Sequence, residues 1–173
     1  PKYASGHVNL GLALQEQRKL DEAAACFHKA IEIDPKNAGA YSGLGFALPG
    51  AVGISLAQPG RPVVAVIGDG SAMYGVQALW TAAHLKLPIT YVIANNRSYR
   101  ILKERLVSMR STDRFTGMDI RDPEIDFTGL ARSLGVAAER VTDPQGIVPA
   151  LRAALQAGAP RLIEVMVADG FGS

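Results

Sequence analysis

Between positions 4 and 37, apolar residues recur at helical spacing: Leu10 and Leu14, then Ala23, Phe27, Ala30 and Ile31. The pattern breaks near Arg18-Lys19-Leu20 and stops at Asp34-Pro35, which predicts a helical hairpin. A further helix is predicted over 42–57. From residue 62 the period changes. Val63-Val64-Ala65-Val66-Ile67 is a short β-branched run suited to a strand buried on both faces, and Ile89-Thr90-Tyr91-Val92-Ile93-Ala94 predicts a second strand. Val136 to Val141 and Leu162 to Val167 predict two more. Helices are expected at 75–86, 99–106, 126–134 and 145–157, the last ended by Gly158-Ala159-Pro160. Strands alternating with helices imply an α/β fold, an open parallel sheet with helices on both faces. The stretch 107–123 has no clear period and reads as a mobile loop.

Composition sets outer limits. The 173 residues suffice for one ordinary domain of about 100–150 residues with a small appendage. An apolar share of 48% beside 20% charged residues places the chain among folded globular proteins. No apolar stretch approaches the roughly 18 residues of a membrane span and no signal-peptide order opens the chain, so a cytoplasmic location without membrane contact is the expectation. Cys26, the single cysteine, falls in a helical pattern and reads as packing. A net charge of +2 is too small to argue for nucleic acid. Arg97, Arg100, Lys103, Arg105, Arg110, Arg114 and Arg121 nevertheless outnumber Glu104, Asp113 and Asp119 in one segment. That excess is either a solvated basic surface or a face turned toward an anionic cofactor or substrate.

The hairpin resembles a tetratricopeptide repeat. Leu10-Gly11 stand for close packing in the first helix, Ala23, Phe27 and Ala30 lie in the second, and Pro35 ends it. His7 and Leu14 replace the usual aromatic and tyrosine of the signature. One repeat cannot bury both its faces. Asn9-Leu10-Gly11-Leu12-Ala13-Leu14 is echoed by Gly43-Leu44-Gly45-Phe46-Ala47-Leu48, with Tyr41 where a second repeat would have its aromatic. The echo predicts a fusion in register and a boundary that divides the chain into 1–41 and 42–173.

Gly68-Asp69-Gly70-Ser71 follows directly on the first strand, at the carboxyl edge where open α/β sheets bind ligands. The glycines permit close backbone approach, and the amides that follow can face an anion. Asn95-Asn96-Arg97-Ser98 follows the second strand, so Asp69 and Asn96 are placed to converge. A carboxylate and an amide oxygen are hard ligands, better suited to magnesium than to zinc. Either motif alone is a common turn sequence. No Gly-x-Gly-x-x-Gly turn follows a strand, which argues against a dinucleotide site.

Together the two motifs resemble the signature of thiamine diphosphate enzymes. Gly43 to Pro49, Gly68 to Tyr74 and Ala78-Leu79-Trp80-Thr81-Ala82-Ala83 extend the likeness to the C-terminal, diphosphate-binding domain of the benzoylformate decarboxylase and acetolactate synthase group, over about residues 42–170. The resemblance implies Mg²⁺ held by Asp69, Asn96 and the backbone carbonyl of Ser98. It implies thiamine diphosphate lined by Gly68, Gly70, Ser71, Tyr74 and Tyr99, with Leu44 supporting the bent cofactor. It further implies a carboxy-lyase or acetolactate-synthase-like activity whose activating glutamate comes from a separate pyrimidine-binding domain, in a homo- or hetero-oligomer. Nothing in these residues matches that domain or the family's histidines, so no catalytic residue is assigned and the chain alone is expected to be inactive. His7, His28 and His84 read as structural or exposed. Arg100, Glu104 and Arg105 argue against a phenyl pocket. The alternative function is a tetratricopeptide-type interaction module, its hairpin binding a peptide partner, on a non-catalytic α/β scaffold.

Overall fold

The computed structural model describes residues 2–17, 20–33, 47–110 and 114–170. Its contacts divide the chain into two compact units, Pro1–Phe46 and Ala47–Ser173.

In the first unit α1 (Lys2–Glu16) and α2 (Leu20–Ile33) pack against each other. Ala4, Val8, Leu14, Ala23 and Ala30 are buried. Buried Gly11 completes a stripe at i, i+4, i+7 and i+10 on α1, one face of a helix. Leu10, expected in that stripe, is half exposed, because the true stripe is set by Ala4 and Val8 and runs one residue out of phase with it. Leu44 and the rest of the repeat echo before Ala47 lie outside the described residues.

The second unit runs α3 (Ala47–Ala57), β1 (Val63–Gly68), a four-residue α4 (Asp69–Ala72), α5 (Ala78–His84), β2 (Ile89–Asn95) and α6 (Arg100–Arg110). It continues with α7 (Phe127–Ser133), β3 (Ala137–Val141), α8 (Ile147–Gln156) and β4 (Arg161–Met166). The four strands form one parallel sheet in the order β1-β2-β4-β3. The predicted elements of this unit are present with ends displaced by a few residues, the expected start of the 42–57 helix lying outside the described residues, and α6 takes in 107–110 of the expected loop. Asp126 starts α7 as its cap, accepting from the Gly129 amide at 2.9 Å.

One face of the sheet presents Val63, Ala65 and Ile67 of β1, Ile89, Tyr91 and Ile93 of β2, and Leu162 of β4. Leu48 and Val52 of α3, Leu79 and Ala82 of α5, and Phe127 and Ala131 of α7 fill this layer. On the other face Ile163 of β4 and Val141 of β3 meet Ala150 and Ala154 of α8. That face is covered less completely. Every second residue of β1 is exposed, with Val66 at 66%. The β-branched run therefore does not make a strand buried on both faces: among the described residues β1 lies at an edge of the sheet, and α8 packs over β2, β4 and Val141 of β3.

This one-sided burial is testable by urea denaturation. Leu79→Ala, which removes a fully buried side chain, is expected to lower stability by about 3 kcal/mol, while Val66→Ala changes it by no more than about 0.5 kcal/mol. A comparable loss from Val66→Ala would mean that the second face of β1 is covered.

Candidate functional site

Because β1 and β2 are adjacent and parallel, with Gly68 opposite Ala94, the chain leaves both at the same edge. Asp69 is the first residue beyond β1, and Asn96 the first beyond β2. The Asp69 side chain is buried, 3% exposed. Its Oδ1 accepts from the Gly70 amide at 2.8 Å, while its Oδ2, equally buried, has no partner. Burial pushes this carboxyl above the usual carboxylate range, against the pull of the backbone amides of Gly70, Arg97 and Ser98. A buried carboxylate oxygen without a donor is costly unless a cation or proton compensates it.

The Asn95–Ser98 turn is built from its own side chains. Asn96 Oδ1 accepts from the Ser98 amide at 3.0 Å, and Asn95 Oδ1 from the Arg97 amide at 2.9 Å, with Arg97 in the left-handed region at φ 56°. The Ser98 amide is thus committed to Asn96 within the turn. Ser98 is 4% exposed and its Oγ donates to the Met118 carbonyl at 3.3 Å.

Tyr99 closes over Gly70. A Cβ on Gly70 would sit 2.5 Å from Tyr99 Cε1 and 3.4 Å from Ile120 Cδ1, so only glycine lets this ring lie on the backbone of the Gly-Asp-Gly turn. Tyr74 is half exposed, and burial, then the charge of Tyr99, push its hydroxyl above the usual phenol range. Ser71 is half-buried in α4, and Gly68 holds the extended position before that helix. The structure thus gathers Asp69, Gly70, Tyr74, Asn96, Ser98 and Tyr99 at one edge. Leu44 lies outside the described residues.

Two features here were missed in the sequence. Asn95 is buried and donates through Nδ2 to Glu164 Oε1 at 2.6 Å. Glu164, fully buried on β4, also receives Arg140 Nε at 2.8 Å from the facing position of β3. The available signal was a lone glutamate inside the apolar run Leu162 to Val167. The second feature lies in the basic segment, three of whose cations are paired with carboxylates. Lys103 is buried against Asp119 at 2.7 Å and Asp169 at 3.1 Å. Arg121 reaches Asp169 at 3.0 Å, and Arg97 reaches Glu124 at 3.3 Å. Residues 114–121, expected to be mobile, are held by these pairs and by main-chain bonds to Arg97 and Tyr99.

The site's chemistry is that of a single carboxylate among amide, carbonyl and hydroxyl oxygens. Among the described residues no three His, Cys, Asp or Glu side chains cluster as a metal site. The orphaned Asp69 oxygen fits a hard cation that brings other oxygen ligands with it. His84, the single histidine of the second unit, ends α5 at the opposite edge of the sheet and stacks on Trp80 at 4.9 Å. Two surface hollows, one along Glu139–Asp143 and Pro149–Ala153 and one at Glu124, Asp126, Thr128 and Arg140, use none of the gathered residues. No helix among the described residues is long and apolar enough to cross a membrane.

Comparison with known proteins identifies the family. Residues 23–165 match the family described as thiamine pyrophosphate enzyme, C-terminal TPP binding domain, and residues 4–37 match the tetratricopeptide repeat. Benzoylformate decarboxylase of Pseudomonas aeruginosa is 44% identical over 126 residues, which cover 73% of this chain and 23% of that protein. A putative acetolactate synthase large subunit of Mycobacterium tuberculosis is 41% identical, covering 75% of this chain and 26% of that protein. Among solved structures, a thiamine diphosphate-dependent 4-hydroxybenzoylformate decarboxylase of Rhodococcus jostii superposes with a TM-score of 0.69 at 44% identity, over 75% of this chain and 24% of that one. The chain spans about a quarter of the length of the relatives it matches. With its sheet, its Gly-Asp-Gly and Asn-Asn turns and this match, the chain belongs to the thiamine pyrophosphate enzymes, as their C-terminal TPP-binding domain joined to a tetratricopeptide repeat.

Proposed function

We propose that the carboxyl edge of β1 and β2 holds Mg²⁺ and the diphosphate of thiamine diphosphate, in a lyase acting on 2-oxo acids or an acetolactate-synthase-like enzyme. The buried, partnerless Asp69 Oδ2 carries this reading. In it, Asp69 and Asn96 contribute side-chain oxygens to the ion and Ser98 its carbonyl. Gly68, Gly70, Ser71, Tyr74 and Tyr99 line the diphosphate, and Leu44 supports the cofactor from the preceding segment. Metal coordination of Asp69 would replace the missing donor and relieve the desolvation of its charge. When bound, thiamine diphosphate supplies a sink for the electron pair released as a 2-oxo acid loses carbon dioxide. In this reading the residues of this edge bind and orient, and proton transfer at a substrate falls to groups outside it. Activity accordingly depends on a pyrimidine-binding domain, from the same or another polypeptide, that brings the activating glutamate. The same reading implies an oligomer in the cytoplasm, divided functionally at residues 41 and 42, with the hairpin free to take a peptide partner.

The alternative, an interaction module on a non-catalytic scaffold, is supported by the repeat match alone. Calorimetric titration with thiamine diphosphate separates the two. The native chain is expected to bind only when Mg²⁺ is present, and Asp69→Ala to weaken that binding at least about 100-fold. A native chain that binds no cofactor at millimolar concentration with Mg²⁺ would favour the scaffold reading.

Gly70→Ala sets a Cβ against the Tyr99 ring. It is expected to weaken Mg²⁺-dependent cofactor binding by about tenfold or more while the far-UV circular dichroism stays native. Unchanged affinity would remove the Gly70–Tyr99 contact from the site. Carbon dioxide release from pyruvate or benzoylformate is expected to be undetectable with this chain alone and to appear when a relative's pyrimidine-binding domain is added. Turnover by the chain alone would contradict the proposed division of the site.

A further inference from the structure

We propose that Lys103 is a positioning residue of this site: it clamps residues 118–120 and the segment around Asp169 against Ser98 and Tyr99, fixing the wall that faces Gly70. The inference rests on the reading of that edge as the metal and diphosphate site.

Lys103 lies one turn into α6, its amide bonded to the Tyr99 carbonyl at 3.2 Å, so its main chain is coupled to Tyr99. Its side chain is 4% exposed, an unusual position for an ammonium group unless it is compensated. Compensation comes from Asp119 Oδ1 at 2.7 Å and Asp169 Oδ2 at 3.1 Å, with the Phe115 ring 5.4 Å from Nζ. Burial alone would push this amine down. The two carboxylates outweigh it, so the group stays charged. Arg121 supplies the second cation for the two aspartates. Charge balances within the cluster.

What the clamp holds is the wall itself. Asp119 bridges Ser98 in antiparallel fashion, flanked by Tyr99 N–H to Met118 O at 2.8 Å and Ile120 N–H to Arg97 O at 2.7 Å. Ile120 and Tyr99 are the two side chains standing where a Cβ on Gly70 would go. A shift of 118–120 therefore moves both the carbonyl side of Ser98 and the ring over Gly70. Two main-chain bonds alone are a weak hold for a loop beside solvent. The buried ammonium joins that loop, α6 and the end of β4's extension through a charge that tolerates no loss of a partner.

The test is amide exchange by NMR on the cofactor-free protein, for native, Lys103→Met, Lys103→Arg and Asp119→Asn chains. In Lys103→Met the Tyr99 and Ile120 amides are expected to exchange about tenfold faster while β1 and β4 amides keep their native rates. Mg²⁺-dependent thiamine diphosphate affinity, read by calorimetry, falls about tenfold in the same variant. Lys103→Arg restores most of both, and Asp119→Asn shows the same local exchange with the lysine intact. Native exchange at Tyr99 and Ile120 in both Lys103→Met and Asp119→Asn overturns the proposal, as does faster exchange spread evenly over the sheet. Should Lys103→Met fail to fold, Asp119→Asn decides by the same readings. A native chain that binds no cofactor sinks the metal–diphosphate reading, whereas the exchange rates report on the clamp independently.

Discussion

The parallel pairing of β1 with β2 is the contact on which the candidate site depends. Its register sets Gly68 beside Ala94, so the next residues of each strand emerge together. An antiparallel pair would have sent Asp69 and Asn96 to opposite ends of the sheet. The apolar layer beneath, with Ile67 and Ile93 both buried, holds that register, since a slip of one residue would turn each strand's core side chains outward. Packing in the core thereby decides the separation of two polar side chains at the edge.

Polar groups then refine what packing begins. Asn95 and Asn96 are adjacent in sequence and opposite in role. Asn95 turns inward to Glu164 and stabilises the turn, while Asn96 stays at the surface with its oxygen on the Ser98 amide. Glu164 is fully buried, and its charge is tolerated because Asn95 and Arg140 both donate to it. The Lys103 cluster does the equivalent for the opposite side of the turn. Two buried ionic groups are thus spent on one short loop, although buried ion pairs seldom add net stability over apolar packing. They are better understood as fixing a conformation than as holding the fold together.

The architecture was legible in the sequence because period-two and period-3.6 patterns are local properties. So were the Gly-Asp-Gly and Asn-Asn turns, which stand directly after β-branched runs. The exposure of Val66 was not legible, since a run of valines reads alike whether the strand is central or at an edge. Leu10 was misplaced for a related reason: several apolar residues compete for one stripe on α1, and contact with α2 selects among them. The partners of Lys103 lie 16 and 66 residues away, beyond the reach of any local pattern. Gly70 was legible as a point of close backbone approach, but its contact with the Tyr99 ring was not.

The bare side of β1 has a consequence for how this protein behaves in concentrated solution. Among the described residues the strand pairs only with β2, and it carries Val64 and Val66 outward with no charge from Val63 to Gly68. Arg61 and Pro62 at its beginning are the kind of residue that discourages intermolecular strand addition, but they guard one end only. An edge without a strand partner among the described residues, beside exposed valines, is the kind of surface that can extend a β-sheet into another molecule. A charge introduced at Val66 would accordingly oppose self-association without touching the core.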